Sequence, residues 1–291
     1  MIQRTITLIA GPTASGKSKL ALKIAQEKNA VIINADSMQI YDTLNILTAR
    51  PTEDDTIIFP HYLYGYVSPS LNYSVGQWLR DVEKLLNVIT SKSLIFVGGT
   101  GLYFRALLGG ISEIPDIPDV CRQKWRRRLQ EEGAENLYRQ LLQVDAALSK
   151  RICAQDGQRI IRALEVYDVT GKTLSWWQKQ KTTSLIAKDY SEKILLIPSR
   201  QQLYENINKR LDRMVEQGVL EEVFIIKQLM LSPLLPAMKA IGLPEFIAYL
   251  DGYLSFENAI ETVKTKTRRY AKRQMTWFHN QLNGEWKIIA A

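Results

Sequence analysis

An open parallel α/β sheet, interrupted by a helical insertion and followed by a helical C-terminal segment, is the fold class this sequence predicts. Three observations carry it. An apolar run passes through a glycine-rich turn into a helix-period segment within the first 28 residues. Further short apolar runs each end in a cluster of small or polar residues, as strands do when their carboxyl ends face a ligand. Between Ile111 and Asp189 the pattern turns long, charged and helical, with no strand signal.

Taken in order, Thr5 to Ala10 reads as a buried first strand, and Lys17 to Lys28 as a helix with Leu20, Ala21, Ile24 and Ala25 on one face. Ala30 to Asn34 (AVIIN) reads as a strand ending at Ala35, Asp36 and Ser37, and Ser93 to Val97 (SLIFV) as one ending at Gly98, Gly99 and Thr100. Lys193 to Ile197 (KILLI) returns the chain to the sheet before Pro198. From Gln201 onward the pattern is helical to the end, with turns at Ser232-Pro233 and at Gly242 to Pro244, and a last amphipathic run from Thr262 to Leu282. The expected domains are therefore a core over 1–112, a helical insertion over 113–190, and a return to the core with a helical C-terminal region over 191–291.

Composition narrows the function classes. Of 291 residues, 46% are hydrophobic and 23% charged, the balance of a folded protein and not of a disordered one. The net charge of +8 favours a polyanionic partner or an anionic substrate, with a generally solvated basic surface as the plain alternative. Cys121 and Cys153 stand alone, which excludes a disulfide framework, and His61 and His279 are too isolated to suggest a zinc site. No apolar stretch is long enough to span a membrane, and the first residues read as a strand and not as a secretory leader. A cytoplasmic protein is the expectation.

Gly11, Pro12, Thr13, Ala14, Ser15, Gly16, Lys17 and Ser18 satisfy the pattern G-x-x-x-x-G-K-[ST], with a strand before and a helix after. The core is thus a P-loop NTPase-like parallel sheet. In such a loop backbone N–H groups converge on a phosphate at a helix N-terminus, Lys17 adds a point charge, and Ser18 can hold Mg²⁺. The motif does not say whether the phosphate is hydrolysed, transferred or lost as a leaving group. A kinase or hydrolase would require a second acidic Mg²⁺ ligand at a strand end, which Asp36 could be.

Other stretches discriminate further. INADSMQIY (33 to 41), LTARPT (47 to 52), VGGTGLYFRALL (97 to 108), QRIIRALEVYDVTGKTLS (158 to 175), AIGLPEF (240 to 246) and TRRYAKRQMTWF (267 to 278) occur in this order. Together with GPTASGKS they make the chain resemble the tRNA dimethylallyltransferases over essentially its whole length. One departure is Leu47, where that family usually has glycine. The resemblance implies transfer of the dimethylallyl group from dimethylallyl diphosphate to N6 of the adenosine at position 37 of tRNA, next to the anticodon, with Mg²⁺ as cofactor and the chain acting as a monomer. It maps the general base to Asp36, a diphosphate-contacting threonine to Thr100 and a catalytic arginine to Arg210. It maps tRNA contacts to Asp36, Ser37, Met38, Gln39, Thr100, Arg122 and the run Gln158, Arg159, Ile160, Ile161, Arg162.

The residue types suit that chemistry. Breaking an allylic C–O bond loads charge onto the departing diphosphate, which Lys17, Arg210 and loop N–H groups would stabilise. Adenine N6 is a poor nucleophile, and a carboxylate such as Asp36 can orient it and take its proton. From the residues alone Asp36 remains open between base and Mg²⁺ ligand, Thr100 between ligand contact and packing turn, and Arg210 between active site and solvated helix face. Two basic clusters, Arg122 to Arg128 and Lys264 to Arg273, are candidate phosphate tracks for the anticodon stem-loop. Among the aromatics interleaved with the second, Tyr270, Trp277 and Phe278, packing into the core is the simpler expectation. The rival functions are an adenylate isopentenyltransferase, a small-molecule kinase or NTPase with the same loop, and an RNA-binding module without activity.

Overall fold

The run ITLIA has no polar side chain to leave solvated except Thr7, and in the computed structural model it forms β1 (Ile6–Ala10), buried at the heart of a six-stranded sheet. Residues 5–90, 92–180, 182–187, 191–282 and 284–290 are described. The chain divides into two compact units, 1–108 with 185–291, and 109–184.

In the first unit the glycine loop leads into α1 (Lys17–Lys28), which buries Ala21, Ile24 and Ala25 and stops at Asn29 in the left-handed conformation. β2 (Ala30–Asn34) is buried along its whole length, as a parallel strand covered on both faces must be. α2 (Glu53–Ile58) is opened by a reciprocal cap between Thr52 and Asp55 and is followed by the two-residue β3 (His61–Tyr62). α3 (Val75–Val88) is capped in the same way by Ser74 and Gln77, and its buried Trp78 donates its indole N–H to the Asn34 carbonyl at 3.0 Å. β4 (Ser93–Gly98) and α4 (Gly101–Gly109) complete this half.

In the second unit, α5 (Asp119–Val144), α6 (Ala146–Ser149), α7 (Gly157–Thr170) and α8 (Leu174–Gln178) enclose a core of Trp125, Leu137, Leu141, Leu148, Ile160, Ile161 and Leu164. α5 breaks at Gly133, whose φ of 77° lies in the left-handed region that glycine enters freely.

The chain returns to the first unit with β5 (Ser191–Leu196), α9 (Arg200–Glu216), α10 (Val219–Gln228), a 3₁₀ turn at Ala237–Lys239, α11 (Leu243–Leu250), α12 (Phe256–Gln281) and β6 (Lys287–Ile289). Strand order is β3-β2-β4-β1-β5-β6, all parallel. The expectation of helix to the C-terminus is corrected by β6, an edge strand three residues long and largely exposed, too short to show a strand periodicity. α12 also starts six residues before the expected Thr262, where Ser255 caps it by accepting from Asn258 N–H at 3.2 Å.

Leu47 is accommodated by packing. It is buried in a cluster with Phe246 and Val263, above Gly242, where an added Cβ would lie 2.8 Å from the Leu47 side chain. The loop carrying Leu47 is held by Glu222, whose carboxylate accepts the backbone N–H groups of Asn45, Ile46 and Leu47 at 2.9, 2.7 and 2.9 Å.

Candidate active site

The turns after β1, β2 and β4 emerge at one sheet edge because those strands are neighbours and parallel. Gly11 is required there: a Cβ would lie 2.8 Å from both the Leu196 carbonyl and Ser15 Oγ. Gly16, at φ 86°, opens α1 with no side-chain cap, so the first amides of the helix point out of the loop as an anion cradle. Lys17 is half-buried, and its Nζ donates to the Pro12 carbonyl at 3.3 Å. Burial lowers its pKa from 10.5 to about 8, with attraction from Asp36 opposing the shift and Arg210 adding to it. Ser15 Oγ is buried with no hydrogen-bond partner among the described residues.

Asn34 shapes the turn after β2. Its side chain accepts the Asp36 N–H at 2.8 Å and donates to the carbonyls of Asp36 and Leu63 at 2.9 Å each. Asp36 Oδ1 accepts Met38 N–H at 3.0 Å, while Oδ2 lies toward Gly99, 3.2 Å from where a Cβ would stand. Gly98 must be glycine, since a Cβ would fall 2.0 Å from the Ala35 carbonyl oxygen. That close approach lets Thr100 Oγ1 accept the Ser37 N–H at 2.9 Å, with Thr100 N–H donating to Ala35 O at 3.2 Å. Asp36, Ser37 and Thr100 therefore form one hydrogen-bonded corner.

Arg210 reaches the loop from α9, donating from Nη2 to Thr13 Oγ1 at 2.6 Å. Burial lowers its pKa, Asp36 opposing and Arg213 reinforcing the shift. Arg210 thus packs against the glycine loop instead of lying on a solvated face. Burial also raises the phenol pKa of Tyr64, Tyr103 and Tyr270, with the charge of Asp36 as the next cause in each, so the carboxylate sits among neutral aromatic side chains. Gln274 of α12, 6% exposed, joins two of the turns: Oε1 accepts Thr13 N–H at 2.9 Å and Nε2 donates to the Gly99 carbonyl at 2.8 Å. Sequence reasoning missed Gln274 and Tyr64; the available signal for Gln274 was a polar residue on the apolar stripe that runs through Ala271 and Phe278.

The remaining expected contacts fall out as follows. Gln39 uses its side-chain amide to hold the carbonyls of Thr48 and Ala49 at 2.9 Å each, leaving its oxygen for a ligand. In the second unit Gln158 and Arg159 are exposed at the start of α7, whereas Ile160 and Ile161 enter its core. Those two side chains are therefore unavailable to RNA, and the α-helical period is the reason: at about 100° per residue they turn away from the side that Gln158, Arg159 and Arg162 share. Arg162 lies 3.8 Å from Glu165, and Arg122 donates from Nε to the Ile117 carbonyl at 3.1 Å. Burial raises the Glu165 pKa while Arg162, Arg122 and Arg126 pull it down, so three guanidinium groups share one carboxylate and leave an excess of positive charge.

The basic clusters are smaller than their residue lists. Lys264 pairs with Asp212 at 2.9 Å, Lys266 with Glu245, and Arg268 with Glu261 at 2.6 Å, so Arg269, Lys272 and Arg273 are the exposed cations of α12 without a carboxylate partner among the described residues. Lys124 pairs with Asp168 at 2.7 Å and Arg128 with Glu132 at 2.5 Å. Phe278 is buried as expected, but Tyr270 and Trp277 are only half-buried, and Trp277 fills the space beside Gly101.

Two family models match, "IPP transferase" over residues 39–281 and "Isopentenyl transferase" over 4–57. The chain is 74% identical over 291 residues to a tRNA dimethylallyltransferase of Bartonella quintana, covering 100% of this chain and 99% of the relative. It is 49% identical over 283 residues to one of Chelativorans, covering 97% of each. Among solved structures, the tRNA isopentenylpyrophosphate transferase of Bacillus halodurans aligns with TM-score 0.69 at 32% identity, over 98% of this chain and 90% of that one. A eukaryotic dimethylallyltransferase solved acting on tRNA aligns with TM-score 0.81 at 27% identity, over 99% and 74%. With likeness of that reach added to the corner formed by the glycine loop, Asp36 and Thr100, the chain belongs to the IPP transferase family.

Proposed function

We propose that the protein transfers the dimethylallyl group of dimethylallyl diphosphate to N6 of the adenosine beside the anticodon of tRNA, releasing diphosphate. The observation that carries this reading is the meeting of Asp36, Thr100, Lys17 and Arg210 at one sheet edge, a general base beside a phosphate cradle. The cradle, Lys17 and Arg210 bind the diphosphate and take up the charge that builds on it as the allylic C–O bond breaks. Asp36 Oδ2 accepts the hydrogen of N6 as the C–N bond forms, and holding the amine there aligns it with the allylic carbon. Thr100, fixed on Ser37, contacts the diphosphate side of the same corner. The neutral phenols of Tyr64, Tyr103 and Tyr270 exclude water that would otherwise capture the allylic group.

The donor set fits Mg²⁺. A hydroxyl oxygen at the mouth of a phosphate cradle suits this hard cation, which takes oxygen ligands and shares them with substrate phosphates and water. Ser18, exposed at the start of α1, is the protein ligand in this reading, and the ion neutralises diphosphate charge when bound. For tRNA, Ser37, Met38 and Gln39 face the extruded base, and Arg122, Gln158, Arg159 and Arg162 grip the stem-loop. Extrusion is the usual route for chemistry on a stacked base. No helix among the described residues is long and apolar enough to cross a membrane, and we place the reaction in the cytoplasm, carried out by a monomer.

The test is nucleoside mass spectrometry of unmodified tRNA incubated with the protein, Mg²⁺ and dimethylallyl diphosphate. Isopentenyladenosine is the expected product. Deleting residues 115 to 185 should abolish it while diphosphate binding stays measurable; loss of both would contradict the division between the two units.

A further inference from the structure

Asp36, Thr100 and Arg210 come from three separate segments, yet their relative placement must hold to a fraction of an ångström. Arg210 is fixed to Thr13 by its 2.6 Å bond, and Thr100 is fixed to Ser37, the residue after Asp36, by a 2.9 Å bond. The β1–β4 ladder brings these two halves together as far as Ala10 and Gly98, and beyond the last paired residues one side chain bridges the turns. Gln274 accepts Thr13 N–H at 2.9 Å and donates to Gly99 O at 2.8 Å, between the residue that holds Arg210 and the residue before Thr100. Only one orientation of its amide satisfies both bonds, because Thr13 N–H can only donate and Gly99 O can only accept. The structure also makes room for it: a Cβ at Gly99 would stand 2.4 Å from Gln274 Nε2.

We infer that Gln274 is a positioning residue, which sets the spacing between the donor-holding loop and the corner that holds the acceptor base. It touches neither substrate. By occupying the Thr13 N–H it also directs that amide away from the diphosphate, leaving anion binding to the amides that open α1. The inference rests on the reading that the loop holds the diphosphate and the Asp36 corner the adenine. Its surroundings suit rigidity: Ala271 and Phe278, one turn on either side, are fully buried, so the helix cannot shift without unpacking the core.

The experiment compares single-turnover rates of the full-length protein, with saturating dimethylallyl diphosphate and tRNA, for Gln274→Met, Gln274→Glu and Gly99→Ala. Gln274→Met keeps the volume and removes both bonds, and should slow turnover about 10- to 100-fold, the scale expected for slight misplacement of reacting groups. Its KM for tRNA should stay near that of the native protein. Gln274→Glu is the decisive arm. As a carboxylate it still accepts Thr13 N–H but has no proton for Gly99 O; protonated, it can make both bonds. Its rate relative to the native protein should therefore rise as pH falls. A residue that merely supports the fold would lower the melting temperature without giving the turnover of folded protein a new pH dependence. Should Gln274→Met not fold, Gln274→Glu carries the test through its pH dependence, because Gly99→Ala displaces the amide but also brings a Cβ to 3.2 Å from Asp36 Oδ2. Native rates and pH profile in the folded variants would overturn the inference. A native protein that makes no isopentenyladenosine would instead overturn the functional reading.

Discussion

Replacing Arg210 by alanine separates catalysis from architecture. Arg210 stands on α9 between Ile207 and Leu211, which anchor that helix through buried side chains, so its removal leaves the apolar packing intact. Lost with it is the 2.6 Å bond to Thr13, a charge-assisted contact worth about 1.5–3 kcal/mol. Gained is relief from holding a guanidinium in a desolvated place beside Arg213, the cause of its lowered pKa. These terms oppose each other, so the melting temperature should move by only a few degrees. Catalysis has no such offset. A charge ~4 Å from a second, at an effective dielectric near 20, interacts by about 4 kcal/mol. The part that grows as the C–O bond breaks should match loss of an oxyanion donor, roughly 100- to 1000-fold in rate. The assay is single-turnover transfer of radiolabelled donor to tRNA, with circular dichroism for the fold. A rate within tenfold of native, or a loss confined to KM for tRNA, would refute Arg210 as the group that stabilises the leaving diphosphate.

Further outcomes follow from the same geometry. Lys17, with its pKa lowered to about 8, binds a proton less readily when folded than when unfolded; between about pH 8 and its ordinary 10.5 the unfolded chain therefore holds more protons, and stability should rise with pH across that window. Diphosphate should restore the proton, so titration calorimetry near pH 8 in buffers of different ionisation enthalpy should show proton uptake on donor binding that Lys17→Met abolishes. Gly98→Ala forces a Cβ to 2.0 Å from Ala35 O, which should cost about 1–3 kcal/mol as overpacking and slow turnover further, because Asp36 and Thr100 flank the contact; thermal melting and kinetics measure the two. In the second unit, Arg122→Ala should weaken tRNA binding with little change in melting. Ile160→Ala, at a side chain 0% exposed, should destabilise that unit by about 2–5 kcal/mol instead.

How far the sequence discloses this molecule depends on the range of the interaction that decides each feature. β1, β2, β4 and β5 are buried along most of their length and so appear as short, mainly apolar runs, with Thr7 the one polar residue inside β1 and the polar start of β5 at Ser191 and Glu192 less buried. β3 and β6, with two and three residues and partial exposure, owe their state to a neighbouring strand and carry no pattern of their own. The glycine loop is legible because its backbone demands fix residue types at adjacent positions. The charge on α12 misleads for the opposite reason: Lys264 and Lys266 find Asp212 and Glu245 on other helices, partners that only tertiary packing selects. Gln274 is the extreme case, an unremarked polar residue in a basic helix until Thr13 and Gly99, far away in the chain, are brought to either end of its amide.

The central claim is that Asp36 takes the proton of the acceptor amine. Asp36→Asn keeps the volume and can still meet Met38 at the turn, but it cannot accept a proton at the working position. Single-turnover transfer at saturating donor and tRNA, read by nucleoside mass spectrometry beside a tRNA-binding measurement, tests this most directly. The account predicts native tRNA binding with a rate of isopentenyladenosine formation lower by about 100- to 10,000-fold, the range for removal of a general base. Near-native transfer by Asp36→Asn would contradict it.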